Sequence, residues 1–284
     1  MIWLSKKLTK NKMKFIFFVL AILYSGVMVI RGTYAWVTYG DERINRSNSE
    51  NLSLKIKVLG DLDPVVLSSQ YKTEKKIQVR NANTSPAVVR ISLEELLLSF
   101  EIDTIDQSGN GNIKNYFDSV PNGSIDYQKV ESWKVNEYYR NAEQKVVYKG
   151  LQKANDFYLL NNEQNRDELL SWIQLNFSNV RTTLPNAAQS EKNYWLYQEE
   201  TAGGKKIGYF YYSEVLYKNK ASSILLDNIS IKKLLPNKMK GSFYTVNINA
   251  EASMAVKETL TIWNKQQTSP VYKMLSEKLL DAEE

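Results

Sequence analysis

Residues 244–252 read Tyr-Thr-Val-Asn-Ile-Asn-Ala-Glu-Ala, and this stretch decides the fold of the chain. Its apolar side chains occupy every second position, and Thr, Asn and Glu fill the positions between them. A period of two places all the apolar side chains on one face of an extended strand. The stretch is therefore predicted to be a β-strand that buries one face.

The same alternation recurs nearer the N-terminus. Leu52, Leu54, Ile56 and Val58 alternate with polar residues, and the segments 75–80 and 87–93 repeat the pattern on either side of the sequence NANTSP. Two alternating segments joined by a short turn are typical of a β-hairpin. Segments 75–80 and 87–93 are therefore predicted to pair with each other.

Further short strands are predicted in the second half of the chain, at 173–177, 194–198, 207–212 and 222–231. Short helices are predicted at 165–172 and after Ser269-Pro270, where a capping residue precedes proline. Many short strands with few helices predict an all-β, antiparallel sandwich. Within it, the run Tyr209–Tyr212 favours a central strand covered on both faces over a platform on which a ligand stacks.

The N-terminus has the layout of an export signal. Five lysines precede the apolar block 15–30, and the small residues Thr33 and Ala35 follow it. This order predicts cleavage between Ala35 and Trp36, with a retained membrane anchor as the alternative because the block is long for a signal. The predicted domains are a signal peptide at 1–35, a flexible lead-in at 36–50, a β-sandwich at 51–265 with a variable insert at about 100–190, and a helical tail at 266–284.

The net charge of +6 belongs to the predicted signal. Residues 1–35 contain six basic and no acidic residues, so the remainder holds 31 of the 37 basic residues and all 31 acidic ones. A body with balanced charge and no Lys/Arg-rich run predicts no nucleic-acid partner.

The sequence contains no His and no Cys, which excludes His-based catalytic triads and thiolate or His metal sites. Ser69 and Lys72 stand in a catalytic S-x-x-K order without its companion motifs, and the calcium-loop-like segment 106–112 has Phe117 where a ligating Glu is required. The paired carboxylates Glu94-Glu95 and Glu199-Glu200 are interpreted as solvated. No catalytic residue, cofactor or metal is predicted, and the chain is predicted not to be an enzyme.

Three regions together resemble one protein family. They are the exit Gly32-Thr-Tyr-Ala-Trp36, the two segments around the Asn turn from Lys76 to Arg90, and the closing strands that include 208–212, Leu216, 222–226 and 244–252. The chain resembles the exported substrates of the SipW-type signal peptidase, the TasA/camelysin-like biofilm matrix proteins, and within them the BsaA branch.

The resemblance implies a secreted, jelly-roll-like sandwich at the cell surface that polymerises into matrix or pilus-like fibres, with a dedicated signal peptidase as partner. It also implies assembly by passing an N-terminal segment into a neighbour's sheet. Within Trp36–Val58, the alternating strand with Leu52, Leu54, Ile56 and Val58 is the predicted assembly strand. Two alternatives stay open, a surface adhesin or glycan-binding module that uses exposed Tyr and Trp, and a membrane-retained hydrolase built on carboxylates.

Overall fold

The computed structural model describes residues 44–46, 54–69, 71–105, 112–117, 123–143, 145–162, 166–185, 191–232 and 234–281. Backbone contacts divide the chain into two compact units, Met1–Gly40 and Asp41–Glu284. All described elements lie in the second unit. The predicted signal peptide, its cleavage site at Ala35 and Trp36, and Leu52 lie outside the described residues.

The described chain forms an all-β sandwich of two sheets with a few short helices, which confirms the predicted fold class. The strands are β1 (Ile44–Arg46), β2 (Lys55–Leu59), β3 (Val65–Val66), β4 (Lys72–Asn81), β5 (Ala87–Phe100), β6 (Tyr138–Arg140), β7 (Val147–Phe157), β8 (Ile173–Phe177), β9 (Val180–Arg181), β10 (Trp195–Ala202), β11 (Lys205–Tyr212), β12 (Leu226–Ile231) and β13 (Phe243–Met254).

The small sheet has five strands in the order β1-β2-β4-β12-β8, and the large sheet has eight. In the large sheet the path is β3-β13-β5-β11-β10-β9, with β7 pairing β5 and β6 pairing β7. The named strands pair antiparallel except β9 with β10, which pair parallel. The chain passes repeatedly from one sheet to the other, as it does in jelly-roll folds.

The stretch 244–252 lies in β13, which is next to the edge strand β3 in the large sheet. β13 pairs with β5 over twelve residues, from Phe243 opposite Leu98 to Met254 opposite Ala87. On its other side β5 pairs first with β11 and then with β7. The alternation that the sequence shows therefore marks the strand with the longest pairing in the described part of the fold.

The predicted hairpin of 75–80 with 87–93 is wrong. β4 pairs with β2 and β12 in the small sheet, whereas β5 belongs to the large sheet, so the turn between them crosses the sandwich. Buried Asn81 holds this crossing, because its Nδ2 donates to the carbonyls of Ser85 (2.8 Å) and Leu216 (2.7 Å). A short turn between two segments of alternating apolar and polar residues predicts two strands, but it does not show that the two strands belong to the same sheet.

Three apolar clusters hold the sandwich together. The main core lies between the sheets, and it includes Ile56, Val79, Leu93 and Ile248. A second cluster lies on the outer face of the large sheet, under the helices α1 (Glu258–Ile262) and α2 (Pro270–Leu275). A third, around Trp133 and Phe243, lies at the other end of that outer face.

The predicted C-terminal helix is present as α2. The Ser269 side chain accepts a hydrogen bond from the Tyr272 backbone N–H, and Val271, Met274 and Leu275 are buried. The helix predicted at 165–172 is wrong, because the described residues of this stretch form turns. Asp167 organises these turns, because its carboxylate accepts the Leu169 N–H and its carbonyl accepts the N–H groups of Leu170 and Ser171.

The predicted insert at about 100–190 divides into two parts. Its first part supplies the third cluster, including Ile113, Ile125 and Trp133, which covers one end of the large sheet. Its second part supplies β7, β8 and β9, which are strands of the two sheets. The second part is therefore integral to the sandwich.

Candidate assembly interface

One edge of the small sheet is formed by the shortest strand of that sheet. β1 pairs antiparallel with β2, with Ile44 opposite Lys57, Asn45 opposite Ile56 and Arg46 opposite Lys55. Val58 and Leu59 of β2 have partners in β4 but none in β1. Among the described residues, the edge of β2 is thus covered by three residues from the predicted lead-in.

The predicted assembly strand lies in the core of its own subunit. Leu54, Ile56 and Val58 are buried, and Ile56 and Val58 pack in the main core between the sheets. β2 is also an interior strand, since β1 and β4 flank it. Within Trp36–Val58, the strand at the edge is β1.

Sequence reasoning placed 44–46 in a flexible lead-in and did not predict β1. Three residues are too few to show a period of two, and Ile44-Asn45-Arg46 contains a single apolar residue. The only available signal was the position of this stretch, a few residues before a strongly alternating strand.

Four other edge strands lie among the described residues, β3, β6 and β9 in the large sheet and β8 in the small sheet. β3 and β9 contain two residues each and pair only with Phe243–Tyr244 of β13 and Trp195–Leu196 of β10. β8 ends the small sheet opposite β1 and has five residues, with Ile173 and Leu175 buried and Gln174 exposed. Along the main path of each sheet, the longer edge strands are therefore those of the small sheet.

Glu95 is not a solvated carboxylate, contrary to the interpretation of Glu94-Glu95. It is fully buried, Arg166 Nε donates to its Oε2 at 2.9 Å, and Tyr244 Oη donates to its Oε1 at 2.6 Å. Burial raises the pKa of Glu95, while the charge of Arg166 and these hydrogen bonds oppose the rise. Arg166 Nη1 also donates to the Ile173 carbonyl at 2.6 Å. Because Glu95 belongs to β5, the ion pair connects the turn before β8 to the large sheet.

Glu200 is likewise engaged in a network on the outer face of the large sheet. Arg90 donates to Glu251 Oε2 through Nε (2.9 Å) and Nη2 (2.7 Å), and its Nη1 lies 3.5 Å from Glu200. Tyr211 and Lys265 both donate to Glu200. Burial, together with the charge of Arg90, lowers the pKa of Lys265 against the opposing effect of Glu200.

The position of this network makes it structural. The guanidinium of Arg90 lies 4.2 Å from the ring centroid of Tyr209 and 5.2 Å from that of Trp263, so rings cover it. Lys265 follows helix α1, and its ion pair with Glu200 links the C-terminal segment to β10. These charged groups fasten the covering segment to the sheet and leave no open carboxylate pair.

A cavity between the two sheets is too small for a ligand larger than water. It lies near Asp61, Lys75 and Thr245 and has a volume of about 10 Å³, which is the space of about one water molecule. Within the same residues no cluster of three or more Asp, Glu, His or Cys side chains could hold a metal ion. The calcium-loop-like residues 106–111 lie outside the described part.

Most aromatic side chains of the described strands lie inside the fold, whereas Phe117 and Tyr217, which lie outside the strands, are exposed. Tyr209 and Tyr211 pack in the second cluster and Phe210 and Tyr212 in the main core, which confirms a central strand covered on both faces. Trp133, Trp195 and Trp263 are buried, so none of them is a platform for a sugar ring. This burial weakens the alternative of a glycan-binding module.

No helix among the described residues has both the length and the apolar character needed to cross a membrane. No protein-family model, no curated protein and no solved structure matches the chain.

Proposed function

We propose that this chain is the secreted structural subunit of extracellular fibres, of the biofilm-matrix or pilus-like kind, and that its subunits join by β-strand addition. The observation that carries the proposal is β1, a three-residue strand that closes the edge of the small sheet beside β2. The resemblance of the signal exit and closing strands to biofilm matrix proteins supports the same reading.

Exchange of β1 between subunits is energetically accessible. A neighbour's copy of the same segment would offer β2 the same backbone donors and acceptors, so few hydrogen bonds are lost in the exchanged state. The free energy that the hydrogen bonds between β1 and β2 contribute is small, since each backbone hydrogen bond stabilises by about 1 kcal/mol net. The core side chains Ile56 and Val58 stay in place, because they belong to β2.

A dedicated signal peptidase is part of the proposal. Cleavage between Ala35 and Trp36 would free the segment that leads into β1 from the membrane. Assembly would then follow export, and the uncleaved chain would remain a membrane-attached monomer. N-terminal sequencing of the secreted protein tests the cleavage site, and Trp36 is the expected first residue.

Electron microscopy of purified 36–284 tests the assembly. We expect fibres whose number rises with protein concentration, and we expect a variant that lacks 36–47 to remain monomeric. Fibres of unchanged appearance after this deletion would exclude strand addition through β1.

A pair of proline substitutions provides a sharper test. Neighbouring residues of a strand direct their N–H groups to opposite sides, so of Ile44 and Asn45 one donates toward β2 and the other away from it. Proline removes the donor. We therefore expect only one of Ile44→Pro and Asn45→Pro to block fibre formation, with the other as its matched control. Equal effects of the two substitutions would contradict edge pairing by β1.

A further inference from the structure

Among the described strands, the second half of β7 has a neighbour on one side only. β5 pairs with β7 from Gly150 to Phe157, whereas β6 pairs only with residues 147–149 of β7. The segment before β6 reaches one residue further, since the Asn136 N–H donates to the Gly150 carbonyl at 2.8 Å. We call residues 151–157 the free edge of β7.

Alternate residues of the free edge direct their backbone groups away from β5. The Tyr158 N–H donates to the Leu93 carbonyl at 2.9 Å, and the register with β5 is constant from Gln152 to Phe157. Successive residues of an antiparallel strand direct their N–H and C=O groups to opposite sides. The residues whose backbone groups face outward are therefore Lys153, Asn155 and Phe157. Within the described residues, no hydrogen bond occupies these outward groups.

The free edge is accessible and lacks the usual protections of an edge strand. Most of its residues are exposed, including Leu151, which is 42% exposed. Edge strands are commonly protected by shortness, proline, a bulge or a lysine that reaches over the edge. The free edge contains no proline, and its bulge lies before Gln152. The Lys153 ammonium donates to the Trp133 carbonyl at 3.0 Å, so it is held on the segment that covers the sheet.

The free edge is complementary to a second copy of itself. In an antiparallel pair centred on Asn155, this residue lies opposite its own copy, Lys153 lies opposite Phe157, and Ala154 lies opposite Asp156. Lys153 and Asp156 are the only charged residues of the segment, so no like charges stand opposite each other. The three outward residues meet their own equivalents, which gives about six backbone hydrogen bonds. Such a pair has twofold symmetry and closes after two copies.

We propose that the free edge of β7 joins neighbouring fibres side by side, by twofold pairing with the free edge of a subunit in the adjacent fibre. The inference rests on the proposed function, because it requires fibres. So short a pairing is weak between two separate subunits, but a fibre repeats it along its length and the contacts act together. Fibre growth through β1 and lateral pairing through β7 use different sheets, so both contacts form at once.

Charges placed at the twofold position test the lateral contact in fibres of the secreted protein. Asn155→Lys and Asn155→Glu each put like charges opposite each other in every pair, so each variant should form fibres whose bundled fraction, counted by electron microscopy, falls about fivefold. Mixing preformed fibres of the two variants makes the opposed charges complementary and should restore the bundles. Thr84→Lys and Thr84→Glu, at an exposed turn position, are the matched controls and should bundle like the unaltered chain.

A single cysteine gives an independent measurement, because the chain has none of its own. In a hydrogen-bonded antiparallel pair the opposed Cα atoms are about 5.5 Å apart, which suits a disulfide. Oxidised bundles of Asn155→Cys should therefore contain disulfide-linked dimers. Lys153→Cys is the control, since its two copies lie about 13 Å apart along the strands and should not be linked.

The outcomes separate this inference from the proposed function. Unaltered fibres that never bundle, bundles that tolerate both charges at Asn155, or an equal loss in the Thr84 controls overturn the lateral contact and leave fibre assembly standing. Equal disulfide-linked dimers from the two cysteine variants overturn it as well, and this pair decides the question if a charged variant forms no fibres. The absence of any fibres from the unaltered chain contradicts the proposed function, and the lateral contact with it.

Discussion

The outer faces of the two sheets differ in how they are covered. Apolar clusters cover the large sheet at both ends, one under α1 and α2 and one under the residues around Trp133. The small sheet has no cluster on its outer face among the described residues, where lysines, Gln78 and Gln174 meet solvent. Its strands contain neither Tyr nor Trp, whereas β10, β11 and β13 together contain five Tyr and one Trp.

The two sheets therefore have different roles in the sandwich. The large sheet is packed on both faces, so it provides the stability of the subunit. The small sheet is packed on one face, and its edge is closed by three residues, so it provides the surface and the edge through which partners can be reached. Strand addition along the fibre is assigned to the small sheet for this reason.

Alkaline unfolding is expected to give the largest effect, and it should begin at the large sheet. Burial raises the pKa of Tyr127 to about 12, and burial with the Glu101 hydrogen bond raises that of Tyr116 to about 12. Burial also raises the pKa of Tyr197, Tyr211 and Tyr244.

A folded pKa above the unfolded value of about 10 means that the folded state keeps these protons longer. Their stabilisation is complete below pH 10 and is lost as the pH rises through the folded values. Absorbance of phenolate at 295 nm should rise in one cooperative step together with the loss of circular dichroism. Independent titration of the tyrosines near pH 10, with the fold intact, would contradict a closed large sheet.

Removal of the buried carboxylate is expected to be the most damaging substitution. Glu95→Gln leaves the buried Arg166 without its counter-charge, which should lower the free energy of unfolding by about 3–5 kcal/mol. The adjacent Glu94→Gln is the matched control, since Glu94 points to the opposite face and should change the value by less than about 0.5 kcal/mol. Urea denaturation measures both, and equal losses would mean that the buried group does not fasten the turn before β8.

The connection between the sheets is expected to be of intermediate importance. Asn81→Ala removes the Nδ2 donor to the carbonyls of Ser85 and Leu216, of which Leu216 keeps the Ala87 N–H, and should cost about 1–3 kcal/mol. Thr84→Ala, at an exposed position of the same turn, should be close to neutral. Similar thermal midpoints for the two variants would show that the turn needs no anchor.

Sequence periodicity predicted the strands well because it reports burial. β8, β11 and β13 match the predicted segments closely, since each buries alternate side chains against the main core. Periodicity does not report which strands are neighbours, so the crossing at Asn81 was mistaken for a hairpin. The contacts that hold the crossing between the two sheets, such as the hydrogen bond from Asn81 to the Leu216 carbonyl, join residues 135 positions apart.

The charged groups were harder to predict. Glu95 and Arg166 are 71 residues apart, and neither has a local pattern that distinguishes a buried ion pair from two solvated residues. β1 was missed because three residues carry no period. Strand register places the cations Lys57 and Arg80 opposite each other, which no local sequence pattern indicates. The sequence alone contains these charges but not their neighbours.

Disulfide trapping of β1 against β2 tests the central claim, exchange of β1 between subunits, most directly. The chain has no cysteine, and Ile44 and Lys57 are opposite each other in a pair whose Cα separation suits a disulfide. Ile44→Cys and Lys57→Cys are made in separate chains, mixed under assembly conditions and oxidised, with Ile44→Cys plus Lys205→Cys as control. The account predicts disulfide-linked dimers in the first mixture and none in the control. A second experiment places Ile44→Cys and Lys57→Cys in the same chain. An intramolecular disulfide in that chain, together with no disulfide-linked dimers in the first mixture, would show that β1 stays in its own subunit and would contradict the account.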